Sequence, residues 1–282
     1  MGAQFVSSNC SRIFALFALA LLSIAAARPS VAQEMKLIEP GHLTIAVFAN
    51  AMPVIAYDAQ DQMMGVDGEF FKSFAEKHGL KIKLYKTTFP STILAVQQGK
   101  ADIGTWFYYT EERAKQIRYT IPYLRETASI FTLESFGYTD LDSVKGKRVA
   151  AVVGHSFAPF VQKAFGDGAT LFPDGVAART ALLNGQVDAY VDSSFVIDEP
   201  PFAGNDQVKG VILKVGDLDL PQNIAGALDH NFVACDNKGL ANALDEQMKA
   251  LHASGKWDEI LKAHNLTEES KAPVDPPKQL CE

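Results

Sequence analysis

From residue 43 onward, short β-rich runs alternate with helix-spaced apolar patterns, and the alternation is repeated in a second series of the same order. Such a chain must layer helices over largely parallel sheet, an α/β architecture. In the first series Leu43–Phe48 predicts a strand. Gly68–His78 predicts a helix with Phe70, Phe71 and Phe74 on one face, closed by Gly79. Lys81–Tyr85 is strand, Ser91–Gln98 helix and Asp102–Phe107 strand; Thr110 can cap a further helix whose first turn carries Glu111 and Glu112. The second series runs through strand Arg148–Val153, a helix after Ser156, strand Ala169–Phe172, a helix capped by Asp174, and strand Asp188–Val191. Both series end an apolar helix with Gly-x-x-Asp before a strand, at Gly99–Asp102 and Gly185–Asp188. Glycine suits the left-handed position that stops a helix. Two similar lobes are the expectation.

The rest of the chain does not continue as a simple tandem. After strand-like Val211–Val215 and Ile224–Leu228, Asn237 caps a helix carrying Leu240, Leu244, Met248 and Leu251, stopped by Gly255, and a last helix covers about Trp257–His264. These helices need an apolar surface to cover. If they pack on the first lobe, the chain crosses between lobes twice, near Ala128–Leu133 and near Pro221–Leu228. That gives one lobe from 40–128 plus 225–265, a second from 132–221, and a Pro-rich tail over 266–282. Two extended connections make a hinge, and closure about a hinge is a known way to enclose a ligand.

Residues 1–32 read as a cleaved export signal. Arg12 precedes the apolar run Ile13–Ala27, and Ser30-Val31-Ala32 supplies the small residues of a cleavage site. The run is too short to span a bilayer comfortably, since a membrane helix needs about 20 apolar residues. Cys10 precedes the run, where a lipid-bearing cysteine would follow it. A periplasmic location follows, and an oxidising compartment permits Cys235 and Cys281 to pair, tying the tail to the body. With 26 basic against 33 acidic residues, a formal charge of −7, the chain has no basic field to hold nucleic-acid phosphates. It has no HExxH and no Cys-x-x-Cys, so neither a metal site nor a cofactor is expected.

The most informative stretch is Gly104-Thr105-Trp106-Phe107-Tyr108-Tyr109-Thr110-Glu111-Glu112-Arg113, followed by Tyr119-Thr120-Ile121-Pro122-Tyr123. The order Thr-x-x-Arg, then a β-rich run ending Pro-Tyr, resembles the amino-acid-type (family 3) extracellular solute-binding proteins. Pro53, Gly65-Val66-Asp67, Gly99-x-x-Asp102, Val149–Ser156 and Gly185-x-x-Asp188 fit the same pattern, over roughly residues 40–265. The resemblance implies a two-lobed, periplasmic-binding-protein-like fold of type II with two hinge crossovers. It implies a monomer that captures a small carboxylate-bearing solute, an amino acid or a related apolar or aromatic acid, for an ABC permease.

By that resemblance Arg113 would clamp the ligand carboxylate, a role suited to its planar fork of donors. Thr110 would touch the ligand or cap the helix. Gly154-His155-Ser156 would offer Ser156 and helix-terminal amides from the opposite lobe. The family commonly places an ammonium-binding Asp where this chain has Ser193, with Asp192 one residue early. On a strand a one-residue shift turns a side chain to the other face. Phe89 falls where an aromatic platform is usual. Phe48 stands where members that bind cationic side chains can carry an acid. With Trp106 and Tyr108, these rings favour apolar or aromatic ligand parts.

Three other readings are open at this point. Gly154-His155-Ser156-Phe157-Ala158 approaches a nucleophile elbow, with Asp192 or Asp219 and then His230 completing a hydrolase order, although Ala158 replaces the second Gly. Relatives of the fold also include cyclohexadienyl dehydratases, for which no buried general acid is evident in the sequence. Others are periplasmic partner proteins of methanol dehydrogenase with an apolar cleft.

Overall fold

The computed structural model describes Gly2 and residues 34–281, so the export signal expected over 1–32 lies outside the described residues apart from Gly2. Among the described residues no helix is long and apolar enough to cross a membrane.

Strands β1 (His42–Val47), β4 (Lys81–Lys86) and β5 (Ile103–Tyr108) run parallel, with helices α1 (Gly65–His78) and α2 (Phe89–Gln97) in the crossovers. A two-residue pair, β2 (Ala56–Tyr57) and β3 (Met63–Met64), precedes α1. The helix begins at Gly65 rather than Gly68, because Val66 and Asp67 donate their N–H groups to the carbonyls of Pro53 and Val54, which satisfies its first turn. Short helix α3 (Glu111–Ala114) leads into β6, a 16-residue strand over Arg118–Leu133.

The second lobe repeats the pattern with β7 (Val149–Val152), α4 (Ala158–Phe165), β8 (Ala169–Phe172), α5 (Gly175–Leu183) and β9 (Ala189–Ser193), where β7 pairs parallel with both β8 and β9. Edge strand β10 covers Val208–Ile212, earlier than Val211–Val215, because its register is set by antiparallel pairing to Ser129–Leu133. Residues Ile224 and Ala225, expected in a strand, form the end of a one-turn helix α6 (Gln222–Ala225). Both donate to the Pro221 carbonyl, and β11 (Gly226–Val233) begins after them.

Strand β6 joins the lobes. Residues 118–127 pair with β11, while 128–133 pair with β9 and β10, giving the order β4-β1-β5-β11-β6-β9-β7-β8 with β10 also on β6. The closing helices α7 (Lys238–Ala253) and α8 (Lys256–Ala263) return to the first lobe. Their Leu240, Leu244, Met248, Leu251 and Trp257 share one core with Phe70, Phe71 and Phe74 of α1.

The repeated Gly-x-x-Asp has a mechanical meaning. Gly99 and Gly185 both adopt φ +66°, turning the chain out of its helix at little steric expense. Asp102 then accepts the N–H groups of Ile38 and Thr44, each at 2.8 Å, at the start of β1. Asp188 accepts the N–H of Arg148 at 2.9 Å beside β7. In each lobe the carboxylate latches one strand to its parallel neighbour. Gly104 answers a different need, since a Cβ there would meet the Phe232 ring at 2.1 Å.

Cys235 and Cys281 are bonded, with Cα atoms 5.6 Å apart. The tail lies along the first lobe: Arg118 donates to the carbonyls of Cys235 and Cys281, and Gln279 donates to the Tyr119 carbonyl at 2.7 Å.

Candidate functional site

A cavity of about 600 Å³ is walled by residues of both lobes. The end of β1 and the start of α2 bring Phe48 and Phe89, and β5 brings Trp106 and Tyr108. Phe48 packs edge-on to Phe89 at 4.8 Å and stacks with Trp106 at 5.8 Å. Trp106 sits at φ +61°, a left-handed conformation that is strained for a bulky residue in a strand. Its indole Nε1 donates to Glu126 Oε1 at 2.9 Å, which helps to hold it there.

Arg113 projects from the one-turn helix α3. Thr110 accepts the Arg113 N–H at 3.2 Å and so caps that helix; it does not line the cavity. The guanidinium lies 5.3 Å from the Phe89 ring centre and 5.1 Å from that of Phe107. Nη1 donates to the Tyr108 carbonyl at 3.1 Å, and Nη2 donates across to the Gly154 carbonyl of the other lobe at 2.8 Å. A guanidinium has five N–H donors, so these two bonds leave three for a ligand. Burial pulls Arg113 below the ordinary arginine value, yet an arginine remains charged in any working range.

The second lobe contributes Val152 from the end of β7, His155, Ser156 and Phe157 from the turn before α4, and Asp192 and Ser193 from the end of β9. Ser156 is not the cap: the residue preceding α4 is Phe157, and Ser156 Oγ is buried without a hydrogen-bond partner among the described residues. His155 Nδ1 is 3.3 Å from Asp192 Oδ1, and its ring packs on Phe89 at 4.3 Å. Asp192 Oδ1 also accepts the Ser193 N–H at 2.8 Å, while Oδ2 accepts the Tyr190 hydroxyl. Burial alone would raise the Asp192 carboxyl, but His155, the Tyr190 hydroxyl and the Ser193 N–H outweigh it and leave it below its usual value. Asp192 and Ser193 both reach the cavity despite the alternation expected along a strand, because β9 ends at Ser193.

The cavity also holds charged residues that the sequence reading missed. Glu126 of β6 accepts Trp106 from the first lobe and the Ser193 hydroxyl from the second. Arg179 of α5 pairs with Glu199 at 2.7 Å, and both side chains are buried. The available signal was a charged residue inside an apolar pattern: Glu126 between runs of strand formers, and Arg179 inside the alanine-rich Gly175–Leu183. The hydrolase order does not assemble. His230 is buried outside the cavity, its Nδ1 2.8 Å from the Thr120 carbonyl, and Asp219 pairs with Lys163 at the surface.

Behind the cavity wall lies an acidic core. Thr105 donates to Asp67 at 2.6 Å, and burial raises the Asp67 carboxyl to about 7. Burial raises Glu126 to about 7 as well, and burial together with the Glu126 charge pushes Asp229 well above its normal range. The folded state therefore holds protons that the unfolded chain has already released, and stability falls as pH rises from the ordinary carboxylate range through about 7. His230, lowered by burial to about 4, acts oppositely, adding stability from about 4 up to its unfolded value of 6.5. Three carboxyls outweigh one imidazole. Melting curves are expected to show Tm falling by several degrees between pH 5 and 8, ~1 kcal/mol being worth about 2–4 °C at this size. Asp67→Asn should flatten the slope; a Tm that climbs across the interval contradicts the assignment.

Comparison with known proteins agrees with this architecture. The chain is 25% identical over 220 residues to the ABC transporter arginine-binding protein 1 of Escherichia coli, covering 77% of this chain and 88% of that protein. It is 25% identical over 180 residues to a cyclohexadienyl dehydratase of Pseudomonas aeruginosa, covering 62% and 67% respectively. The crystal structure of the substrate-binding protein of an amino acid ABC transporter superposes with TM-score 0.72 at 21% identity, covering 79% of this chain and 99% of that one, which shows the two-lobed fold. The model of the bacterial extracellular solute-binding proteins, family 3, matches residues 43–267, and the chain belongs to that family.

Proposed function

We propose that this protein is a periplasmic receptor that closes around a small carboxylate-bearing solute, an amino acid or a related apolar or aromatic acid, and hands it to an ABC permease. In this reading residues 1–32 are removed on export and the mature chain acts as a monomer. The lobes comprise 40–128 with 225–265, and 132–221, with 266–282 as the tail. The observation that carries it is Arg113, which lines a cavity walled by both lobes and touches the main chain of the opposite lobe at Gly154. A carboxylate between Arg113 and Ser156 Oγ would receive a charged fork on one side and a buried hydroxyl on the other. The rings of Phe48, Phe89, Trp106 and Tyr108 would cover an apolar remainder. Arginine, the ligand named for the Escherichia coli relative, would bring a second cation into a wall whose acids, among the described residues, already hold donors of their own.

One observation favours a second reading. Glu126 is a buried acid in the cavity wall, held near neutrality, which a dehydratase acting on a cyclohexadienyl acid would need. Against it, both Glu126 oxygens are engaged, by Trp106 and Ser193. Calorimetric titration with the twenty amino acids and a set of aromatic and branched acids tests the primary reading, and mass spectrometry of each mixture afterwards shows whether the ligand survives. Saturable binding with intact ligand is expected. Consumption of a cyclohexadienyl acid would transfer the assignment to the enzyme, and the absence of binding by any carboxylate would remove the receptor role.

A further inference from the structure

The charges in the cavity wall point to a narrower ligand class, given the proposed reading of the cavity as the capture site. Seven carboxyl, guanidinium or imidazole side chains line it: Arg113, Glu126, His155, Asp174, Arg179, Asp192 and Glu199. Six of these have partners within the protein. Arg179 and Glu199 form a buried ion pair at 2.7 Å, and Arg179 Nε also donates to the Pro200 carbonyl. Asp192 receives the Ser193 N–H and the Tyr190 hydroxyl and stands against His155. Glu126 receives Trp106 and Ser193. Burial raises the Glu126 carboxyl to about 7, and both of its oxygens already accept hydrogen bonds. Asp174 is exposed at the rim and accepts the Ala177 N–H as the cap of α5. Of the two guanidinium groups and the imidazole, Arg113 alone has no carboxylate within ion-pair distance among the described residues; its hydrogen-bond partners are two neutral carbonyls.

An ammonium enclosed here would need a carboxylate of its own, because burying an unpaired charge is strongly unfavourable. Each carboxylate in the wall already has donors, and Asp192 Oδ1 has the His155 Nδ1 3.3 Å away as well as the Ser193 N–H. The uncompensated guanidinium asks for one negative charge and no accompanying positive one. We propose that the solute is a monocarboxylate without a charged amino group, carrying an aromatic or branched apolar body. A zwitterionic amino acid would bring a cation that the wall does not match.

Matched ligands test this. The protein is titrated calorimetrically with 3-phenylpropionate, phenylpyruvate, L-phenylalanine and 2-phenylethylamine, then with 4-methylpentanoate and L-leucine, and the titrations are repeated with Arg113→Ala. The expected result is that at least one amine-free acid binds tenfold or more tightly than the amino acid with the same side chain, that the amine does not bind, and that Arg113→Ala abolishes the preference. Equal or tighter binding of the amino acid overturns the inference while leaving carboxylate capture intact. Binding of the amine as tight as that of the acids overturns carboxylate capture itself, as does acid binding unchanged in Arg113→Ala. Silence across the whole set overturns both.

Discussion

Arg113→Ala is expected to weaken binding of a carboxylate ligand by about 2–5 kcal/mol, the range for truncating one partner of a buried charge pair. That corresponds to a roughly 30-fold to several-thousand-fold rise in Kd. The effect should be large because the guanidinium is pre-organised: Phe89 and Phe107 flank it, the Tyr108 carbonyl holds Nη1, and the Thr110 cap fixes the turn from which it projects. Arg113→Lys separates charge from shape. Lysine keeps a cation but loses the planar fork, so its Kd should fall between those of the wild type and the alanine variant. Far-ultraviolet circular dichroism would confirm that both variants are folded. A change below threefold for alanine would remove Arg113 from the capture step.

Arg179→Ala should be the most damaging substitution to stability in the cavity wall. It strips the partner from Glu199, whose side chain is only 7% exposed, and breaking a buried pair from one side costs about 3–5 kcal/mol. For a chain of this size that is a Tm loss of roughly 6–20 °C. Burial already raises the Glu199 carboxyl against the pull of Arg179, so without the guanidinium it should rise further. The loss should therefore shrink as pH is lowered and the acid becomes neutral. Replacing both partners with apolar residues, Arg179→Met with Glu199→Leu, should recover much of it, since removing a whole buried pair is often close to neutral. A single-variant loss under 1 kcal/mol, read from denaturant melts, would contradict this account.

The residues that were legible in the sequence are those whose job is local. Gly99 and Gly185 announce helix stops, and Thr110 announces a cap, because each acts through its own backbone and near neighbours. The rings at Phe48 and Phe89 were placed by the family resemblance, and Trp106 with Tyr108 by their position in the run before Thr-x-x-Arg; all four line the cavity. The roles of Glu126 and Arg179 were not legible. Their partners are far along the chain, Ser193 for Glu126 and Glu199 for Arg179, and a lone charge in an apolar run does not name its partner. The β10 register was missed for a similar reason, since pairing to β6 overrode the apolar run at Val211–Val215. His230 shows the opposite error: the right residue type in the right order, buried against the Thr120 carbonyl instead of facing Ser156.

The hand-over along β6, at Thr127 and Ala128, bears on how the proposed capture cycle could run quickly. A ribbon that changes partners between one residue and the next can flex at the seam while its rungs on either side stay made. On that proposal, opening and shutting would exchange mainly water and side-chain surface, with little backbone bonding to break and rebuild on each pass. The work of selecting cargo would then fall to the cargo's own fit, and the scaffold would reset without melting.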